Sequence, residues 1–549
     1  MTESLPTLVG IFMVALAVSM AIIPAMIRLA PHIGMIDRPD PRKVHVTPIP
    51  RAGGIGIVLG ALLPMIIWLP WTDTLISYYL GALILLIFGV WDDIAELGHY
   101  VKFIGQFAAV ILVVYYGGVV VESFPFLGME PLPPAIGKPF TVIALVGAIN
   151  AINHSDGLDG LAGGESLMTL AGILYLASAA TAFETLALTV AVMGGVFGFL
   201  RFNSHPARVF MGDGGSQFLG FSLGVLVVLL SQRDNPALSP MLPLLLLGLP
   251  VADILAVFWK RARAGGSWFK ATKNHVHHRL LELGFHHYES VAIIYTFQAV
   301  LVLAAVSMPY ASDPGLSAIY FGACVLLFGM LRRAEAAGWR VHAPGDPGGM
   351  ARFLGRIRQD PRSECLPRRV VAAAVSLFML AGAFAVDTVP TDLALIAIAL
   401  TAALLVRLVL GYRAWFLLLR LLMFMAIALM VYLTTRHPPA GFLGMEAVAY
   451  AFFGVLGVAI IVGVRVAERE QFRVSPLDYL VVLIALALAV VPAASQEASG
   501  LVGMAIKAIL LFYGAELAMR QMRSRWNLFT GAVLVSVGVV AVRGLLGIG

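Results

Sequence analysis

The chain has 549 residues, 60% hydrophobic and only 12% charged, with a mean hydropathy of +0.91; soluble domains carry about 25% charged residues, so an ordinary soluble globular protein is excluded. Its formal charge of +6 would raise nucleic acid as a partner in a soluble chain, but the distribution of the basic residues along this one accounts for it. The two cysteines, Cys324 and Cys365, exclude a disulfide framework.

Stretches of about 20 apolar residues read as spanning helices, because only closed backbone hydrogen bonding survives in hydrocarbon. About 18 such windows predict an all-α polytopic integral membrane protein, with about 11 spans in an N-terminal core and the rest in a C-terminal helical extension. The first window, Leu5 to Ala30, has Glu3 and no basic residue ahead of it, so it reads as a retained helix rather than a cleaved signal. Its positive flank follows at Arg28 to Arg51, which predicts an N-terminus outside and the next loop in the cytoplasm. Alternate loops counted from that one hold 31 Lys and Arg, and the remaining loops hold four. This asymmetry follows the positive-inside rule and places four polar islands on one cytoplasmic face.

The first island, Asp92-Asp93, closes a span and is followed by Lys102. Adjacent carboxylates repel when ionised, and a divalent cation or a general-base role relieves that; helix capping with solvated charge is the plainer alternative. The second, Asn153-His154-Ser155-Asp156-Gly157-Leu158-Asp159-Gly160, spaces Asp156 and Asp159 for one helical face. An Asn with two Asp can read an imide-bearing base or hold a ribose, while the alternative makes Asp156 a cap and the glycines turns. The third, Phe210-Met211-Gly212-Asp213-Gly214-Gly215-Ser216, puts one carboxylate in a Gly-rich turn before a helix. That arrangement suits Mg²⁺ on Asp213 beside a phosphate, or an ordinary turn.

Asp253 lies inside the next span, as a site hypothesis or a satisfied structural bond, and is left out of the predicted catalytic core. The fourth island holds His275, His277, His278 and Arg279 with Lys273 beside them. Histidines at i and i+2 do not share a helical face, so zinc on a regular helix is disfavoured; binding of anionic oxygens and a solvated loop are the remaining readings. The division expected is a membrane core over 1–331, a basic loop or linker over 332–369 containing the Pro/Gly run 344–349, and a C-terminal transmembrane extension over 370–549. No internal repeat is evident, whereas inverted-repeat transporters show matching broken helices in both halves.

Taken together, Asp92-Asp93 with Lys102-Phe103 and Gln106, Asn153-x-x-Asp156-Gly157-x-Asp159-Gly160-Leu161-Ala162, Phe202-Asn203 before Pro206-Ala207, Phe210-Met211-Gly212-Asp213 and His275-x-His277-His278 resemble the polyprenyl-phosphate N-acetylhexosamine-1-phosphate transferases. The loop Asp37-Arg38-Pro39 through Arg42-Lys43-x-His45 to Gly53-Gly54 is similar to that family's first loop, and the likeness covers roughly residues 1–310.

The resemblance implies transfer of a sugar 1-phosphate from a UDP-N-acetylhexosamine to undecaprenyl or another polyprenyl phosphate, releasing UMP and starting a cell-envelope glycan. It implies Mg²⁺, with Mn²⁺ as a substitute. Asp92 and Asp93 then stand near metal and lipid phosphate, one as base; Asp213 is a metal ligand; Asn153, Asp156, Asp159 and Asn203 surround the nucleotide, with Asp156 and Asp159 also in the catalytic set. Phe210 stacks on uracil, and Lys102, His275, His277, His278 and Arg279 hold phosphate. Two anionic substrates must meet, and Mg²⁺ with these cations would screen their charge. A direct displacement by the lipid phosphate is the simplest course, with an aspartyl-bound intermediate as the alternative.

His-x-His-His is similar to the branch taking UDP-N-acetylglucosamine rather than UDP-N-acetylmuramoyl-pentapeptide. Trp268, Thr272 and Lys273 replace the family's usual Pro, Asp and Arg, which leaves the hexosamine open. The partners expected are the UDP-sugar, the polyprenyl phosphate and the membrane, with no nucleic acid; a homodimer or partner glycosyltransferases are compatible. The location expected is the inner (cytoplasmic) membrane, with the site facing the cytoplasm. A secondary transporter is the rival class, but transporter sites sit near the bilayer midplane.

Overall fold

The computed structural model describes residues 4–39, 47–126, 131–264, 274–342, 361–410, 416–437, 451–460, 496–521 and 526–547. Arg42, Lys43 and His45, residues 267–273 including Trp268, Thr272 and Lys273, and the Pro/Gly run 344–349 lie outside the described residues, as does the side chain of Cys365.

Twelve helices among the described residues are long and apolar enough to cross a membrane, and four shorter apolar helices accompany them. The chain is an all-α, multi-pass membrane protein. Fewer long spans are counted than the sequence windows suggest, partly because Gly53–Trp68 and others form shorter helices.

The core is built from α1 (Ser4–Ile33), α2 (Gly53–Trp68), α3 (Asp73–Ala95), α4 (His99–Ile111, continued as a wider turn to Tyr116), α5 (Pro134–Ser155), α6 (Leu161–Ala179), α7 (Phe183–Asn203), α8 (Gly212–Val228, continued to Asp234), α9 (Leu242–Ala264), the short α10 (Val276–Glu282), α11 (His287–Ser307) and α12 (Asp313–Ala336). Apolar side chains on all sides of α7 and α8 make these the buried centre, with α1 and α2 packed on α7, and α3 and α5 on α8. Thr72 caps α3 by accepting the Leu75 N–H at 3.3 Å, and the left-handed Glu96 (φ 49°) ends it. Hence the chain turns sharply from Asp92-Asp93 into α4.

The core spans alternate in direction, so α3, α5, α7, α9 and α12 end, and α2, α4, α6, α8 and α11 begin, at one end of the bundle. Cross-contacts among those ends fix the arrangement, including Lys102 to Asp213, Asn153 to Asp213, Gly160 to Asn203 and Arg279 to Glu335. A two-residue antiparallel pair, Ile36–Asp37 with Ile49–Pro50, folds the first loop back onto the same end. There Phe210 N donates to Pro50 O at 2.7 Å, and Gly53 N and Gly54 N donate to Phe210 O and Met211 O at 2.9 and 2.8 Å.

Helix α9 is broken at Gly248, which adopts φ 39° and ψ −118°. Side chains of neighbouring helices close the freed backbone groups: Gln298 accepts the Leu249 N–H at 2.9 Å, Gln298 and Thr169 donate to Leu246 O at 2.9 and 2.7 Å, and Tyr320 donates to Gly248 O at 3.2 Å. Such repair is what hydrocarbon demands of irregular backbone. A transporter's broken helix would instead present those groups to a solute.

The extension comprises α13 (Pro361–Ala385), α14 (Thr391–Leu410), α15 (Phe416–Arg436), α16 (Ala451–Ile460), α17 (Gln496–Gln521) and α18 (Trp526–Leu546). Helices α15 and α17 pack against α1. The Tyr513 hydroxyl donates to Phe197 O of α7 at 2.7 Å, and Arg420 of α15 pairs with Glu516 of α17 while reaching Met20 O of α1 at 3.4 Å. The extension is thus seated on the core.

Candidate active site

Three of the predicted carboxylates converge at the common end. Lys102 Nζ stands 2.6 Å from both Asp92 Oδ2 and Asp213 Oδ2. Asp213 N donates to Asp93 Oδ1 at 3.2 Å, and Asn153 Nδ2 donates to Asp213 Oδ1 at 3.1 Å and to Ser216 Oγ at 2.8 Å. The backbone makes this approach possible: a Cβ on Gly89 would collide with the backbone of Gly214, so only glycine lets α3 meet the start of α8. Gly212 takes φ +72°, and a side chain there would run into the Asp93 carboxylate.

The donor set is all oxygen, the kind that a hard divalent cation selects. Asp92 Oδ1 is buried without a hydrogen-bond partner, and the Lys102 ammonium sits between two carboxylates, as a bridging cation would. Asp92, Asp93 and Asp213 therefore fit the implied Mg²⁺. Behind them Asn150 Nδ2 donates to Gln106 Oε1 at 2.8 Å, and Gln106 Nε2 to Gln217 Oε1 at 3.3 Å, tying α4, α5 and α8 together.

The second island divides its two aspartates. Asp156, at the end of α5, has no side-chain hydrogen bond among the described residues, and burial, then the charges of Asp213 and Asp159, push its carboxyl up to about 7. Asp159 is engaged instead: its Oδ2 lies 2.6 Å from His205 Nδ1 and accepts the Ala207 N–H at 3.0 Å. Burial alone would raise the Asp159 carboxyl, but the His205 hydrogen bond and the charges of His287 and His205 hold it below the usual range. His205 stacks on His287 with ring centroids 4.2 Å apart, and His287 Nε2 lies 3.3 Å from Asp159 O.

Asn203 also turns inward. It accepts the Gly160 N–H at 2.8 Å and donates to Val209 O at 2.9 Å, fixing the second island to the third. Phe210 is half-buried at the head of the third.

The fourth island stands alongside the second, and only part of it is open to an anion. His275 Nδ1 lies 2.8 Å from Asp253 Oδ2, and Val276 N donates to Asp253 Oδ1 at 3.0 Å. His275 also stacks on His154 at 5.2 Å. His277 packs against Gly157 with its Nε2 buried and without a hydrogen-bond partner, and burial, then His278 and His275, hold it far below its usual value, hence neutral. His278 is partly exposed.

Arg279 departs from expectation. Its Nε and one terminal nitrogen grip Glu335 at 2.6 and 3.1 Å, so its fork anchors α10 to α12 rather than facing a phosphate. Sequence reasoning left out Asp253, whose carboxylate orients His275, and missed His205 and His287 around Asp159. For Asp253 the signal was an acid inside an apolar span; the two histidines offered only their position beside the motifs.

The chain was compared with known proteins. Residues 75–231 match the profile of glycosyl transferase family 4. A probable undecaprenyl-phosphate N-acetylglucosaminyl 1-phosphate transferase of Bacillus subtilis is 34% identical over 312 residues, covering 56% of this chain and 87% of the relative. A decaprenyl-phosphate N-acetylglucosaminephosphotransferase of Mycobacterium tuberculosis is 31% identical over 343 residues, covering 56% and 85%. An undecaprenyl-phosphate alpha-N-acetylglucosaminyl 1-phosphate transferase of Escherichia coli K12 is 26% identical over 349 residues, covering 60% and 89%.

Proposed function

The chain belongs to glycosyl transferase family 4, in the branch of its polyprenyl-phosphate N-acetylglucosaminyl-1-phosphate transferases, and on that footing we propose that it moves N-acetylglucosamine 1-phosphate from UDP-N-acetylglucosamine to a polyprenyl phosphate with release of UMP. It is a membrane-bound glycosyl-1-phosphate transferase. The donor is the nucleotide sugar that this product requires. The observation that carries the site assignment is the meeting of Asp92 and Asp213 on Lys102, with Asp93 accepting the Asp213 N–H and with Asn153 and Asp156 beside Asp213.

In the reaction a phosphate oxygen of the lipid attacks the sugar-bearing phosphorus of the donor. A new P–O bond forms as the bond to the bridging oxygen breaks, and the electron pair leaves on UMP. Asp92, Asp93 and Asp213 would hold Mg²⁺, which when bound supplies positive charge to the diphosphate. Lys102 adds a second cation where charge develops. Asp93, held toward α8 by the Asp213 N–H, orients the acceptor phosphate and takes its proton when the monoanion binds. Asp156, without a side-chain hydrogen bond among the described residues and with its carboxyl pushed up to about 7, faces the nucleotide, while Asn203 and Asp159 keep the walls of its pocket in register. The 31 basic residues on the loops of one side support a cytoplasmic face for the site.

The test supplies purified protein with undecaprenyl phosphate, Mg²⁺ and a panel of UDP-sugars including UDP-N-acetylmuramoyl-pentapeptide. UMP should appear with UDP-N-acetylglucosamine and vanish in Asp213→Asn and Asp93→Asn. Release that survives both substitutions would sink the site assignment, and release with the muramoyl donor alone would move the donor.

A further inference from the structure

Arg201, in the last turn of α7, is 8% exposed, yet its guanidinium makes no hydrogen bond to any described residue, and its Nε is buried without a partner. Its near neighbour is the ring of Tyr513, 6.0 Å from Cζ. Beside it Arg420 is 2% exposed and paired with Glu516, itself fully buried. The fields of Arg201 and of the exposed Arg208 reach both members of that pair. Arg420 holds that carboxylate directly, which leaves the buried Arg201 guanidinium without a hydrogen-bonded counterion among the described residues. A buried charge without its counterion costs several kcal/mol, so an anion belongs here.

The chemistry of the anion follows from the donor and its depth. Guanidinium presents five N–H groups in a planar fork matched to phosphate oxygens. Arg201 lies where α7 leaves the membrane, in the seam between core and extension, and basic pockets between spanning helices at that depth hold phospholipid headgroups. It also lies away from the nucleotide pocket: two residues on, Asn203 faces Gly160 from the other side of the helix.

We propose that the seam around Arg201, walled by Tyr513 and backed by Arg420, binds the phosphate of an anionic membrane phospholipid. This is a second lipid site, separate from the acceptor's. Headgroup binding presses on the same helix end that carries Asn203, so it steadies the nucleotide pocket as well as the extension.

The experiment uses the full chain in phosphatidylcholine nanodiscs, with phosphatidylglycerol titrated in and read by native mass spectrometry and by melting temperature. Wild type should bind phosphatidylglycerol and melt higher with it. Arg201→Met should bind it about 10- to 100-fold more weakly, the loss expected for hydrogen bonds to a charged group. In pure phosphatidylcholine that variant should melt no lower than wild type, since it removes an uncompensated charge. Arg201→Lys, which keeps the charge and loses the fork, should fall between and serves if the Met variant does not fold. Equal binding by wild type and Arg201→Met, or equal binding of phosphatidylcholine and phosphatidylglycerol, would overturn the proposal. Displacement of the lipid by millimolar inorganic phosphate would assign the site to a soluble anion and overturn its lipid character.

Discussion

Replacing Lys102 with Met keeps the stem and removes the ammonium that stands 2.6 Å from both Asp92 and Asp213. A hydrogen bond between charged partners contributes about 1.5–3 kcal/mol. Side-chain exposures of 29% for Lys102, 8% for Asp92 and 23% for Asp213 make the site partly wet, which favours the lower figure. Two such contacts give a loss of about 3 kcal/mol in the metal-free protein, with three carboxylates left facing one another. The same change removes the cation that competes with Mg²⁺, so half-saturating Mg²⁺ should fall by about tenfold, 1.4 kcal/mol of that difference being one decade. UMP release at saturating Mg²⁺ should still drop by about 100-fold, because a preorganised cation is lost from the transition state. Melting curves of both proteins over a Mg²⁺ titration measure the first two effects, and single-turnover UMP release the third. Equal metal-free stability together with an unchanged Mg²⁺ midpoint would refute the bridging role of Lys102.

Arg279→Ala should cost about 1–2 kcal/mol of stability, the value of a partly exposed bidentate pair, and leave the KM for the UDP-sugar within about twofold; a KM rise of about tenfold or more would return Arg279 to the phosphate. Asp156 carries a pH prediction. Its folded carboxyl keeps its proton up to about 7, while the unfolded one loses it near about 4, so its contribution favours folding below that window and is lost as pH rises through it. Asp156→Asn should remove this part of the fall in melting temperature of the metal-free protein between about pH 5 and about pH 8, and identical slopes in both proteins would refute the shift.

Much of the architecture was legible in the sequence because hydrocarbon permits so little. Apolar runs announced the helices, and the one-sided basic loops grouped Asp92, Asp93, Asn153, Asp156 and Asp213 before any contact was visible. Side-chain direction was less legible. Asp156 and Asp159 looked like a matched pair, but α5 stops at Ser155 and only Asp159 closes on a side-chain partner among the described residues, His205. Arg279 sat among histidines yet answers to Glu335, 56 residues away. Arg420 was visible as a charge inside a span, while its partner Glu516 lies 96 residues on and its backbone acceptor 400 residues back. No local pattern encodes pairings of that range. The break at Gly248 was likewise hidden, because its repair by Gln298 is a tertiary event.

The seating of α15 and α17 on α1 limits how two copies of this chain can meet. With Tyr513 fastened to α7 and Arg420 reaching α1, that flank of the core is already roofed by its own polypeptide. A bare greasy stripe runs along α3 and α4, in which Ile87, Trp91, Ile104 and Phe107 are exposed. Self-association through that stripe, next to Asp92 and Lys102, would put two reaction centres side by side.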